Sequence, residues 1–91
     1  MNTFRLTVAS PDGNIFQGDA IGLFLRGAEG DLAILAGHTP FITAVMPGRI
    51  RIELPDGNDP DVFSGTADGG LLTVGADSVV LLVNSMKPEE A

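Results

Sequence analysis

Apolar and polar residues alternate along most of this chain with a period of two. Phe4, Leu6 and Val8 alternate with Arg5, Thr7 and Ala9, and Ser10-Pro11-Asp12-Gly13-Asn14 follows, which predicts a half-buried strand ending in a turn. Ile15-Phe16-Gln17 reads as a short return strand closed by Gly18-Asp19. Next, Ile21, Leu23 and Leu25 share one face while Gly22, Phe24 and Arg26 share the other, so the aromatic Phe24 falls on the side expected to meet solvent. Leu32 and Ile34 define a very short strand, and Ile50, Ile52 and Leu54 alternate with Arg49, Arg51 and Glu53 in a strand with one wet face. Residues 61–67 and 71–74 read as two more, separated by a turn or bulge at Asp68-Gly69-Gly70.

Two runs break the alternation. Phe41-Ile42-Thr43-Ala44-Val45-Met46 and Val79-Val80-Leu81-Leu82-Val83 are apolar on both faces. Such strands are sandwiched between layers or covered on one side by another protein chain. Pro55-Asp56-Gly57-Asn58-Asp59-Pro60 reads as a surface loop, since two prolines and flexible polar residues cannot maintain a ladder. Periodicity ends at Asn84, and residues 85–91 are expected to form a flexible tail. With about nine or ten short strands, no helical period and no repeat, the expected fold is all-β. It is a single-domain β-sandwich or flattened barrel over residues 1–84.

Composition narrows the function. The chain has 91 residues, enough for one core, and no cysteine, which removes disulfides and thiolate chemistry and fits a reducing compartment. No apolar run approaches the ~20 residues that span a bilayer, and Met1-Asn2-Thr3-Phe4-Arg5 lacks the features of a signal peptide. Five Lys and Arg against twelve Asp and Glu give a net charge of −7. Nucleic acid and anionic lipid both require clustered cations, and Arg49 and Arg51 are the only close basic pair in the sequence. Neither partner is expected, nor is lipid insertion.

The candidates for chemistry cluster between Gly27 and Gly48. His38 is the only histidine; a catalytic zinc wants about three protein ligands, and a serine or threonine nucleophile would need His38 as base with an orienting acid. The segment supplies neither set, so His38 is expected to brace a turn or touch a partner. Gly27, Gly30 and Gly37 lack the Gly-Lys-Ser or Gly-Lys-Thr ending of a phosphate loop and more plausibly serve tight turns. Glu29 and Asp31 flank Gly30; as neighbouring carboxylates they suit an acid and base pair, half a cation site, a handle for a basic loop on a partner, or simple solvation. No catalytic residue, metal, cofactor or small-molecule substrate is expected.

The same segment is similar to the epsilon subunit of F-type ATP synthases, called delta in mitochondria. The family pattern is Gly-x-Glu-Gly-x-Leu-x-Ile-x-x-Gly-His-x-Pro followed by Thr and Gly. Gly27, Glu29, Gly30, Leu32, Ile34, Gly37, His38, Pro40, Thr43 and Gly48 fall into it without a gap, and flanking strands extend the resemblance over residues 4–83. The resemblance implies a β-sandwich and a noncatalytic central-stalk subunit coupling gamma to the membrane c-ring in proton- or sodium-driven ATP synthesis. It further implies a peripheral place on the cytoplasmic face of a bacterial inner membrane. Carried over by position, Glu29, Gly30, Asp31 and His38 become candidates for the c-ring contact, with Phe24, Phe41 and Met46 for gamma. Many members continue into two antiparallel helices that inhibit ATP hydrolysis and in some bind ATP. Asn84-Ser85-Met86-Lys87-Pro88 departs from that pattern, so neither activity is expected by that route. The alternative is a free-standing β-sandwich module binding protein or carbohydrate through Phe24, Phe41 and Phe63, although the chain lacks the Trp and Tyr such sites usually employ.

Overall fold

The computed structural model describes residues 2–55, 57 and 61–89; the expectations for Asp56, Asn58, Asp59, Pro60, Glu90 and Ala91 lie outside the described residues. The elements are β1 (Phe4–Ser10), β2 (Gly13–Ala20), β3 (Gly22–Gly27), β4 (Gly30–Leu35), β5 (Phe41–Val45), β6 (Gly48–Glu53), β7 (Val62–Ala67), β8 (Gly70–Val74), β9 (Ser78–Val83) and β10 (Met86–Pro88). All join one hydrogen-bonded sheet in the order β10-β7-β6-β3-β5-β8-β9-β1-β2, with β4 paired to β3 off that path. The all-β expectation is met. β1 runs parallel to β9, and the other pairings among the described residues are antiparallel.

The sheet folds over along β3. Gly22, Leu23 and Phe24 pair with β6, but Gly27 pairs with Val45 of β5, and the Met46 N–H donates to the Arg26 carbonyl at 2.9 Å. β3 therefore joins two layers, β10-β7-β6-β3-β4 and β5-β8-β9-β1-β2. On the open side Phe16 of β2 and Phe63 of β7 bring the layers together, ring centroids 5.6 Å apart, so the sheet is nearly closed.

Period-two alternation fills the space between the layers. On β9, Val79, Leu81 and Val83 are buried while Ser78, Val80 and Leu82 are exposed. Leu6, Leu23, Ile34, Ile50, Ile52, Leu72 and Leu81 are fully buried, each worth about 1.5–3 kcal/mol when withdrawn from water. No polar side chain is buried among the described residues. Strands β8 and β9 approach so closely that a Cβ on Gly70 would run into the Leu82 carbonyl oxygen, so this position excludes every larger residue.

Two differences from the sequence reading have physical causes. Residues 15–17 extend into the eight-residue β2, because backbone pairing with β1 continues from Gly13 to Ala20 across a bulge beside Val8 and Ala9. The sandwich also continues past residue 84: Met86 pairs with Ala67 and Lys87 with Thr66. Backbone bonds rather than apolar alternation hold β10. The Ser85 N–H donates to Asp68 Oδ1 at 2.8 Å, and the Glu89 N–H donates to the Ser64 carbonyl at 2.8 Å; Pro88 is tolerated because the strand lies at an edge.

Adjacent leucines on β8 test the layering. Leu72→Ala is expected to cost about 2–5 kcal/mol in urea unfolding, whereas Leu71→Ala, at an exposed position, should change stability by no more than about 0.5 kcal/mol. Equal losses would contradict it.

Candidate functional site

Glu29, Gly30 and Asp31 come together at the tip of the β3–β4 hairpin. Gly27 and Gly30 close it around Ala28 and Glu29, both of which are exposed. Neither loop residue has positive φ; that conformation is taken by Gly30 at +128°, where a side chain would be strained. Behind the tip Arg26 Nε donates to Asp31 Oδ1 at 3.3 Å. Both side chains are largely solvated, so the pair contributes little to stability but orients Asp31. Glu29 is exposed and has no ion pair among the described residues.

His38 lies elsewhere. It follows β4, whose six residues separate it from the tip by roughly 20 Å at the rise of an extended strand. Gly37, at φ +81°, turns the chain so that the His38 N–H donates to the Leu35 carbonyl at 3.2 Å. The ring packs on Phe41, centroids 5.0 Å apart, and Nδ1 lies 2.8 Å from the Thr39 carbonyl. Since a carbonyl only accepts, Nδ1 carries the proton and donates. The residue is half-buried and braces its turn. The structure thus splits the four residues grouped by sequence into a three-residue tip and a separate turn.

The three apolar candidates also separate. Phe24 is half-buried on the outer face of β3, with the Arg51 guanidinium 5.9 Å above its ring. Phe41 packs partly on the core beside His38, and Met46, 45% exposed, lies just beyond β5. Phe63 is engaged with Phe16. Phe24, Phe41 and Phe63 therefore form no common aromatic platform.

A surface that single-residue reasoning missed lies on the outer face of β5, β8, β9 and β1. Register sets Ile42, Thr73, Val80 and Thr7 in one row and Ala44, Leu71, Leu82 and Ala9 in the next. Ile42 is 66% exposed, Leu82 49% and Leu71 44%. Neither row contains a charge, on a chain whose net charge is −7. The signal was present as two runs apolar on both faces; what the sequence does not give is the pairing that makes them neighbours. Contiguous exposed apolar surface of this kind marks an interaction site. Among the described residues no three His, Cys, Asp or Glu side chains gather as metal ligands.

The patch has a direct readout. Replacing Ile42 and Leu82 together by Asp is expected to shorten retention on a phenyl hydrophobic-interaction column while moving urea stability by less than about 1 kcal/mol, as for exposed positions. Unchanged retention would show that the rows are not accessible.

Comparison with known proteins agrees with the fold. A chain of the Euglena gracilis mitochondrial ATP synthase, in a structure of OSCP, F1 and c-ring in rotational state 1, superposes with a TM-score of 0.84 at 24% identity, covering 94% of this chain and 53% of that one. A chain of the Tetrahymena thermophila mitochondrial ATP synthase, in a structure of central stalk and c-ring, superposes with a TM-score of 0.73 at 16% identity, covering 94% and 66%. The present chain thus spans between about half and two thirds of those chains. The family model described as "ATP synthase, Delta/Epsilon chain, beta-sandwich domain" matches residues 3–89. The chain belongs to this family of ATP synthase delta/epsilon β-sandwich domains.

Proposed function

We propose that this chain is a noncatalytic central-stalk subunit of an F-type ATP synthase, linking gamma to the c-ring during ion-driven ATP synthesis. The observation that carries the reading, beyond family membership, is the pair of uncharged apolar rows on the outer face of β5, β8, β9 and β1. A partner covering Ile42, Leu71, Val80 and Leu82 removes from water the apolar surface that the chain itself leaves exposed. That face is assigned to gamma, with Met46 at its margin. The hairpin tip, with Glu29, Gly30 and Asp31, is assigned to the polar loops of the ring. A contact confined to the tip leaves out His38, which sits at the other end of β4.

The mechanism is mechanical. A torque-bearing body must be stiff and held on more than one side. Close packing between two hydrogen-bonded layers supplies the stiffness, and the domain measures 31 × 30 × 23 Å. Two contacts of standard size, roughly 800 Å² each on this side, fit within its 5373 Å² of accessible surface. This role places the chain peripherally at the membrane that carries the ring.

Co-purification with gamma and c-ring from the same organism tests both assignments. Ile42→Asp with Leu82→Asp should abolish capture by gamma, whereas Glu29→Lys and Asp31→Lys should loosen the ring and spare gamma. Wild-type protein that captures neither partner would overturn the stalk reading; capture unaffected by the paired Asp changes would overturn the face assignment.

A further inference from the structure

The cations of this acidic chain are unevenly placed. Arg26, Arg49, Arg51 and Lys87, four of its five Lys and Arg, occupy outward positions of the β10-β7-β6-β3-β4 layer, opposite the apolar face. Three of the chain's carboxylates pair with these arginines: Asp31 with Arg26 at 3.3 Å, Glu89 with Arg49 at 2.9 Å and Glu53 with Arg51 at 2.7 Å. All three arginines line a groove of about 840 Å³, walled also by Phe24, Leu25 and Leu32.

The groove exists because β6 peels away from β3. Phe24 pairs with Arg51, and continuing that register sets Arg26 opposite Arg49. There the ladder is not formed, because β3 has turned to β5. Arg26 and Arg49 thus face each other across an open gap, each with one of the chain's own carboxylates beside it. A single carboxylate between the two guanidiniums would accept from both. Arg49 and Arg51, two residues apart on β6, repeat at about 6.5–7 Å, the spacing of alternate side chains on any extended segment. Exposed ion pairs are weak, so the chain's own carboxylates can be displaced.

We propose that the groove between β3 and β6 docks an acidic segment of a partner protein in extended form, one carboxylate bridging Arg26 and Arg49 and a second, two residues along, reaching Arg51. The walls of Phe24, Leu25 and Leu32 accept the apolar atoms of the same segment. The site is independent of the face assigned to gamma, and its test needs no stalk component.

The experiment is a titration of the full chain, followed by backbone amide and arginine Nε–H resonances, with a short peptide carrying glutamate at every second position. Shifts are expected on β3, β4 and β6 and on the three arginine side chains, fading as salt rises to about 0.15 M. Arg26→Gln or Arg49→Gln should weaken binding about tenfold, while Arg5→Gln, on the other layer, should leave it within about twofold. Amide spectra report whether each variant remains folded; should Arg49→Gln unfold, Arg26→Gln and Arg51→Gln carry the test. Absence of shifts at low salt, equal weakening by Arg5→Gln, or equally tight binding of inorganic tripolyphosphate at the same resonances would overturn the proposal, the last by showing a site for any polyanion.

Discussion

A strand has two edges, and the architecture here depends on how β3 uses them. One edge is filled along its whole length by β4. The other is divided, bonded to β6 over Gly22, Leu23 and Phe24 and to β5 at Gly27. This division turns a single sheet into two layers, and between the two bonded segments the Arg26 carbonyl accepts from the Met46 N–H. It also fixes the Ala28-Glu29 tip beyond the point of division and opens the groove where β6 departs. Gly27 stands at the junction, and an added Cβ would meet Leu32 Cδ1 at 2.7 Å; the close approach of β3 and β4 there leaves no room for one without moving that side chain.

Because inward and outward positions alternate, the core constrains only half of each strand. Leu72 and Leu81 must be apolar because they are sealed between layers. Nothing in folding alone requires Leu71, Leu82 or Ile42 to be apolar, and their exposure has a cost in water unless something covers them. On the opposite layer the outward positions of β6 took Arg49, Arg51 and Glu53 instead. The core residues follow from folding, whereas the residues of the two outer faces do not.

The same alternation explains what could be read from the sequence. Strands β1, β3, β6 and β9 were legible because buried and exposed positions, or a short apolar run, mark them locally. β10 was not, since its bonds to β7 are made by the backbone and carry no side-chain signature. The Gly27 to Asp31 hairpin was legible because glycine spacing specifies a turn. His38 was grouped with it by the family resemblance, but an intervening extended strand carries the chain away faster than any other conformation. Phe24 and Met46 were grouped by chemistry, although layer membership, set by pairings between distant residues, puts Phe24 on one outer face and Met46 beside the other. Knowing that both sides of β5 and β9 are apolar does not reveal that Ile42 and Leu82 face the same way; the register through Thr73, Leu71 and Val80 does.

The two layers look outward in opposite directions, and the hairpin tip points along a third. A body with three chemically distinct surfaces on three different axes has no rotation that maps it onto itself. Attached through the apolar rows, it can therefore be seated in only one sense, with the layer of Arg26, Arg49 and Arg51 turned away from that attachment and the tip at a fixed end. The asymmetry acts as a key: it converts a small, nearly isotropic domain of 31 × 30 × 23 Å into a part with a defined front, back and foot.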